Sequence, residues 1–284
     1  MISNNYRFTV INGIKILELS AINDTQVAQV YCTTRSGGIS TGTYESMNCN
    51  IYKKLDMENG RKNFRLACKA LNIDDRYIIT NRLVYFTDKV RCVTKTDLVD
   101  IYDESIAAPA DGLVTDDDDI VLFFYAADCP VITFVDPEKR VIGGLHSGWK
   151  GCLIPIIENT VAAMCNNYGC QRENIIVQMT PSIGQCCFEV SEDVAEKFSK
   201  AGFSDFISRE QERPHIWLDG VNTELLKKAG IKSENIYRTD ICTCCNPALF
   251  HSYRRGPVDE NGLHLNGMNG IFLRLNKHCP KHKF

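Results

Sequence analysis

Three apolar segments separated by short polar stretches occupy the centre of the chain. They are residues 120–127, 131–135 and 141–145. Each segment has the length of a buried strand and is rich in branched and aromatic side chains. The first ends at Asp128-Cys129-Pro130, the second ends at a turn over 136–139, and the third leads into His146. The pattern predicts three successive strands, with Cys129 and His146 at strand ends where a sheet can bring them together.

The same reasoning predicts strands and helices on both sides of this unit. Segments 6–10 and 15–19 flank Asn12-Gly13, which is a strong β-hairpin signal. The other predicted strands are 27–34, 83–86, 90–93, 175–179, 235–238, 250–253 and 271–275, and the predicted helices are 59–71, 153–164, 194–201 and 225–229. Strands dominate the first half and helices are interleaved later. We therefore predict an α+β chain, folded as one domain over residues 1–284, with mixed β-sheets and outer helices.

Composition and charge exclude several classes of protein. A formal charge of −3 gives no reason to expect a nucleic-acid surface. No apolar segment reaches the about 18 residues of a membrane span, and the N-terminus has no signal-peptide pattern. Fourteen cysteines include the adjacent pairs Cys186-Cys187 and Cys244-Cys245, which are poor material for a disulfide framework. We therefore predict a cytoplasmic protein with reduced thiols.

Cys129 and His146 form the most specific candidate site. A thiolate and an imidazole are good zinc ligands, and a catalytic zinc usually takes three protein groups. The same two residues also suit a nucleophile with its base, or a packed thiol beside a hydrogen-bonded histidine. Asp128 is either a carboxylate that supports the site or a turn residue.

Several other polar motifs have a functional and a plain structural interpretation. Arg35, followed by Gly37-Gly38, suits an anion, and Arg254-Arg255 supply two more cations, although exposed arginines are common. Cys242 and Cys245 form one C-x-x-C motif. A single such motif lacks the second ligand pair of a structural zinc site, so we predict buried thiols there, with a metal or redox role as the alternative. The acidic segment 116–119 is predicted to be a solvated turn.

Six short motifs, in this order, resemble the YfiH-type proteins, also called the multicopper polyphenol oxidase or laccase-domain family. They are residues 33–38 with 46–48, 110–112, 127–130, 146–151, 181–190 and 242–254. The resemblance covers roughly residues 27–275. It implies a single α+β domain of layered mixed sheets between helices. It also implies phosphorolysis of adenosine, inosine or methylthioadenosine and deamination of adenosine, with a nucleoside and phosphate as the partners. Six histidines are too few for several copper centres, which argues against a true laccase.

The resemblance also implies roles for particular residues. It implies zinc bound by one cysteine and two histidines, and Cys129 and His146 match two of these ligands. The residues implied to bind substrate or phosphate, or to move protons, are Arg35, Asn48, Asp111, Arg254 and Asp128.

Phe86 stands where the family has its third ligand, and no histidine precedes His146. His251 and His264 are the candidates for a substitute ligand. This departure leaves two alternatives open. One is a metal-free Cys–His hydrolase, and the other is a catalytically impaired paralogue that binds a nucleoside or a protein partner.

Overall fold

The structure is a computed structural model that describes residues 5–52, 54–81, 86–103 and 109–277. These residues form two six-stranded sheets, a small two-stranded sheet and five α-helices. The strands are β1 (Tyr6–Ile11), β2 (Ile14–Leu19), β3 (Ala28–Thr33), β4 (Ile78–Thr80), β5 (Val90–Cys92), β6 (Gly112–Thr115), β7 (Val121–Ala126), β8 (Val131–Asp136), β9 (Val141–His146), β10 (Ile176–Met179), β11 (Ile207–Ser208), β12 (His215–Ile216), β13 (Ile236–Tyr237) and β14 (Asn269–Leu275). The α-helices are α1 (Ser20–Asn23), α2 (Met57–Ala70), α3 (Ile156–Tyr168), α4 (Glu192–Lys200) and α5 (Leu218–Lys228).

The first sheet has the strand order β1-β2-β3-β14-β7-β4. β1 and β2 form the predicted hairpin, in which Asn12 and Gly13 adopt φ angles of 50° and 82°. Two successive positive φ values suit the tight turns that match the twist of paired strands. β14 lies between β3 and β7, so residues near the end of the described chain complete the centre of this sheet.

The second sheet has the strand order β13-β10-β8-β9-β6-β5. β8 and β9 are antiparallel, and Val131 lies opposite His146. β7 belongs to the first sheet, so the chain crosses from one sheet to the other at residues 127–130. The three central strands that the sequence predicted are therefore confirmed, but they are divided between two sheets.

The two sheets pack against each other through one apolar core. Leu17 and Phe124 of the first sheet share a buried cluster with Leu113 and Ile142 of the second. Gly144 on β9 is required by this contact, because a Cβ atom there would lie 2.5 Å from the Phe124 ring. The Phe124 ring thus fills the space that a larger side chain would occupy.

The helices cover the outer faces of the sheets. Phe64 of α2 packs its ring 4.8 Å from that of Phe123 on the first sheet. Met164 of α3 and Leu226 of α5 are buried in a cluster with Phe134 on the second sheet. This arrangement confirms the predicted α+β fold of layered mixed sheets between helices. None of the helices in the described ranges is long and apolar enough to cross a membrane.

One predicted strand differs from the structure, and one predicted strand pair lies only partly within the described residues. Residues 250–253 do not form a strand, because the His251 backbone bonds to the Asn269 side chain instead of to a neighbouring strand. The predicted pairing of 83–86 with 90–93 falls largely on residues outside the described ranges, and within those ranges β5 pairs in parallel with β6. Residues 82–85 lie outside the described residues, and Phe86 is not in a strand.

Candidate functional site

Cys129 and His146 are neighbours because the strands that carry them are paired. Cys129 lies two residues before β8, and His146 is the last residue of β9. The Ser147 N–H donates to the Pro130 carbonyl at 2.9 Å, which continues the pairing to the residue next to Cys129. The structure therefore brings this predicted thiol and imidazole together where the paired strands β8 and β9 meet the adjoining loops.

Gly148 lies among the side chains of this site, and distances from it show how closely they approach one another. A Cβ atom built on Gly148 would lie 2.8 Å from Cys129 Sγ, 3.2 Å from Phe86 Cε1 and 3.3 Å from His146 Cε1. Three side chains thus surround one backbone position. A methyl group at that position would overlap the Cys129 sulfur, so the cluster depends on glycine.

Burial sets the protonation of Cys129 and His146. It raises the pKa of the Cys129 thiol to about 12, and the charge of Asp128 acts in the same direction. Burial also lowers the pKa of His146 to about 4, and this residue is 6% exposed. At neutral pH the two groups are a thiol and a neutral imidazole. A thiolate–imidazolium nucleophile needs the opposite shifts, so this environment opposes a metal-free Cys–His hydrolase.

Asp111 adds a carboxyl group next to this pair. The His146 N–H donates to the Asp111 carbonyl at 3.0 Å, and the Thr87 N–H donates to Asp111 Oδ2 at 2.8 Å. The second carboxyl oxygen, Oδ1, is buried without a hydrogen-bond partner. Burial raises the pKa of Asp111 to about 6. Asp111 is therefore suited to exchange a proton near neutral pH.

Asp128 holds two distant loops at the crossing between the sheets. Its φ angle is 80°, a left-handed value that aspartate tolerates better than most residues. Oδ1 accepts from Thr243 Oγ1 at 2.6 Å, while Oδ2 accepts from Ser252 Oγ at 2.9 Å and from the Arg254 N–H at 2.7 Å. Both oxygens are thus engaged. The structure places Asp128 beside Cys129 as a support, and a proton-transfer role for it stays a prediction.

Aromatic rings and a cation lie at the mouth of the site. Phe86 is 47% exposed, and its ring centroid lies 5.5 Å from that of His146. Lys150 Nζ lies 5.2 Å from the centroid of Phe86 and 5.5 Å from that of Trp149. Lys150 and Trp149 were not predicted as site residues, although both lie between Gly148 and Gly151 in the turn after His146.

Arg35 and Arg254 hold backbone carbonyl groups. Arg35 Nε and Nη1 donate to the carbonyls of Glu45 and Pro247 at 2.6 and 3.0 Å. Arg254 Nη1 and Nη2 donate to those of Cys187 and Glu189 at 2.9 and 2.7 Å. Both guanidinium groups therefore fasten loops, and phosphate binding by them stays a prediction.

Asn48 is fully buried and also has structural partners. Its Nδ2 donates to Asp56 Oδ2 at 2.8 Å, and its Oδ1 accepts from the N–H groups of Asn50 and Met268 at 3.0 Å. These bonds connect the segment after β3 to the segment before β14. Substrate binding by Asn48 stays a prediction.

Cys129 and His146 do not fit a zinc ion bound by three protein groups. Among the described residues, no set of three histidine, cysteine or carboxylate donors within 4.8 Å of one another includes this pair. His251 lines a pocket of about 150 Å³ that neither member of the pair lines. The His264 ring stacks on Tyr253 with a centroid distance of 3.8 Å. Neither histidine supplies the missing donor.

The C-x-x-C motif differs from its prediction. Cys245 is exposed and Cys242 is half-buried, so these are not two buried thiols. The structure brings them to the adjacent pair Cys186-Cys187, and the four sulfur atoms lie within 4.8 Å of one another. We call these residues the four-cysteine cluster. The sequence signals for it were the two cysteine pairs, but nothing in their spacing indicated that they meet.

Comparison with known proteins agrees with the fold and with the family that the sequence resembles. The family model described as multi-copper polyphenol oxidoreductase laccase matches residues 29–267. The crystal structure of the Bacillus licheniformis hypothetical protein YfiH has a TM-score of 0.84 and 26% sequence identity, and it covers 96% of this chain and 100% of that chain.

Two relatives have names that describe an activity. A purine nucleoside phosphorylase from Deinococcus radiodurans is 32% identical over 227 residues, which are 78% of this chain and 82% of that protein. Adenosine deaminase RL5, from an unknown prokaryotic organism, is 35% identical over 247 residues, which are 85% of this chain and 94% of that protein. Two more curated relatives come from mouse and human, and the match to this chain spans only 35% of their length. On this evidence, the chain belongs to the multi-copper polyphenol oxidoreductase laccase family.

Proposed function

We propose that this protein processes purine nucleosides at the site around Cys129, His146 and Asp111, with phosphorolysis as its main reaction. The observation that carries the proposal is the convergence at Gly148, where thiol, imidazole and aromatic ring surround one point. The named relatives support the class of substrate. The substrates proposed are inosine, adenosine and methylthioadenosine, each with phosphate.

The residues at the site suit the parts of such a substrate. The exposed ring of Phe86 and the half-buried ring of Trp149 offer faces on which a purine base can stack. Lys150 Nζ, which lies over both rings, supplies a positive charge for phosphate. The neutral His146 imidazole, whose Nδ1 has no hydrogen-bond partner, is available for a substrate hydroxyl.

Asp111 is the proposed proton carrier. A phosphate oxygen forms a bond to the ribose C1′ atom while the bond from C1′ to the base nitrogen breaks. The protonated carboxyl gives its proton to the departing purine and regains one from the attacking hydrogen phosphate, so the products are a neutral purine and ribose 1-phosphate. A pKa of about 6 suits a group that gives and regains a proton near neutral pH.

The proposed steps use only residues of the chain, because Cys129 and His146 supply two donors where a catalytic zinc usually has three. Zinc at this pair stays a prediction, as does deamination of adenosine. The cytosol is the proposed location, and every cysteine in the described ranges is a free thiol.

Turnover of inosine tests the proposal. The purified protein, incubated with inosine and phosphate, should release hypoxanthine and ribose 1-phosphate, which chromatography separates. Asp111→Asn should lower kcat about a hundredfold with little change in KM, because it removes the proton donor and keeps the side-chain shape. Asp116→Asn, a change at an exposed carboxylate beyond the end of β6, serves as the matched control. Equal turnover by the Asp111 variant would contradict the assigned role.

The missing third donor favours one second candidate, a nucleoside-binding protein without turnover. Calorimetric titration with inosine separates the two functions. Binding without product formation would support the second candidate, and neither binding nor turnover would refute both.

A further inference from the structure

The four-cysteine cluster lies outside the proposed nucleoside site and is built from two loops that are far apart in sequence. Cys186 and Cys187 follow Gly184 in the segment after β10, and Cys242 and Cys245 lie in the segment after β13. The Sγ atom of Cys245 is 3.6 Å from that of Cys186 and 3.3 Å from that of Cys187. The Sγ atoms of Cys186 and Cys187 are 3.8 Å apart.

These distances match one kind of chemistry. A zinc–sulfur bond of about 2.3 Å places the sulfur atoms of a four-thiolate tetrahedron about 3.8 Å apart. A disulfide needs sulfur atoms about 2.05 Å apart, well below the 3.3 Å between those of Cys187 and Cys245. All four sulfur atoms lie within 4.8 Å of one another, a spacing that one metal ion can bridge.

Backbone groups around the cluster support thiolate ligands. The N–H groups of Gly184 and Cys245 donate to Cys242 Sγ at 3.2 and 3.4 Å. Hydrogen bonds of this kind orient a ligand and stabilise its negative charge. Gly184 is also confined, because a Cβ atom there would lie 3.2 Å from Cys186 Sγ and from Cys242 Cβ. The turn before the first cysteine pair thus packs directly on the second pair.

We propose that Cys186, Cys187, Cys242 and Cys245 bind one zinc ion as a structural site. Four protein thiolates complete the tetrahedral coordination and leave no position open for substrate. The two arms of the site come from different loops, so the ion fastens one loop to the other. The site is independent of the nucleoside chemistry proposed for Cys129 and His146.

Hydrogen bonds around the cluster show which parts of the chain a bound zinc ion would hold together. Thr243, between the two ligands of the second arm, donates to Asp128 Oδ1 at 2.6 Å. Arg254 donates to the Cys187 carbonyl at 2.9 Å, and Arg255 donates to the Cys244 carbonyl at 2.7 Å. The cluster is thus connected, through Thr243 and Asp128, to the residue next to Cys129.

Zinc content measures the proposal directly. The full chain is expressed with zinc, purified without chelator under reducing conditions, and analysed by mass spectrometry of metals. We expect zinc to remain bound after gel filtration, and the double variant Cys186→Ser/Cys245→Ser to lose one zinc per chain. Cys92→Ser, at another exposed cysteine, should retain the wild-type content. A wild-type protein without zinc, or a double variant that keeps it all, would overturn the proposal.

Two further measurements keep the result specific. Cys129→Ser should retain the zinc of the cluster, so loss of zinc only in that variant would refute the cluster and favour the Cys129–His146 site. Cobalt bound to the wild-type chain should give the intense sulfur-to-metal charge-transfer band of four thiolates. This measurement uses no variant, so it does not depend on whether a variant folds. The absence of that band, or alkylation mapping that finds disulfides among the four cysteines, would also refute it.

Discussion

The Cys129–His146 site and the four-cysteine cluster both combine soft metal-binding side chains, but they differ in donor number and exposure. The first has two donors, one of them on a histidine that is 6% exposed, with an aromatic ring against them. The second has four thiols, two of them exposed, and backbone N–H groups directed at one sulfur. The first arrangement has fewer donors than a catalytic zinc usually takes, and the second has the four donors of a structural zinc site.

The difference shows that the type of side chain does not decide its use. Burial keeps His146 neutral, and burial together with the charge of Asp128 keeps Cys129 a thiol, which suits contact with a bound molecule. Four clustered thiols instead complete a metal's coordination and leave no room for chemistry. Asp128 joins the two regions, since it precedes Cys129 and accepts a hydrogen bond from Thr243.

Removal of the Asp128 carboxylate should have the largest effect. Asp128→Gly keeps the positive φ angle easily accessible, but leaves the donors of Thr243, Ser252 and Arg254 without their acceptor. We expect a loss of about 4 kcal/mol in the free energy of unfolding, measured by urea denaturation. Asp240→Gly, also at a positive φ but in an exposed residue, is the control and should change it by less than about 1 kcal/mol. Equal losses would contradict the linking role.

A methyl group at position 148 should disturb one region alone. Gly148→Ala places a Cβ atom 2.8 Å from Cys129 Sγ, and such overpacking costs about 2 kcal/mol. Nucleoside turnover should fall more than about tenfold, because small displacements at a reacting site are costly. Gly151→Ala is the control, since its nearest neighbour would be the His146 carbonyl at 3.4 Å. The zinc content of the cluster should be unchanged in both variants, and its loss would show that the regions are not independent.

The pH dependence of stability should reveal Asp111. The fold raises the pKa of this carboxyl from 3.8 to about 6, so between these values the folded chain holds a proton that the unfolded chain releases. The stability that Asp111 contributes is therefore present below about pH 4 and is lost as the pH rises to about 6. The unfolding free energy of the wild type relative to Asp111→Asn should fall by about 2 kcal/mol from pH 4 to pH 7.

Denaturation of both proteins at several pH values measures this difference. His146 and His251, whose pKa values burial lowers, change stability in the opposite direction. They are present in both proteins and cancel in the comparison. A difference that does not vary with pH would show that Asp111 titrates normally.

The smallest effect on stability is expected at Phe86. This side chain is 47% exposed, so Phe86→His should cost less than about 1 kcal/mol. The new imidazole would give Cys129 and His146 a third donor, and we expect one additional zinc per chain by metal analysis. Phe86→Leu removes the ring without adding a donor and should leave the zinc content unchanged. An unchanged content in the histidine variant would mean that Phe86 does not occupy a ligand position.

Much of the fold follows from local patterns. The hairpin at Asn12-Gly13 and the strands on either side of Cys129 were predictable because backbone turn preferences and apolar runs act over a few residues. The failure at residues 250–253 has a clear cause. Two of these four residues, Phe250 and Tyr253, are aromatic, which favours a strand, but the Asn269 side chain occupies the His251 backbone groups that a ladder would use.

The candidate site divides in the same way. Cys129 and His146 were predictable as neighbours because antiparallel strands joined by a short turn place their outer ends together. The structural role of Arg35 was not predictable, since its partner carbonyl at Pro247 is distant in sequence.

The sequence by itself determined most of the strands and helices, and the thiol and imidazole at paired strand ends, because these depend on short-range geometry. Only the tertiary structure decided that Cys186-Cys187 meets Cys242 and Cys245, and that Asp128 binds both Thr243 and Ser252. Side chains from remote loops meet only when sheets and helices have packed, and no local sequence pattern specifies the distance between them.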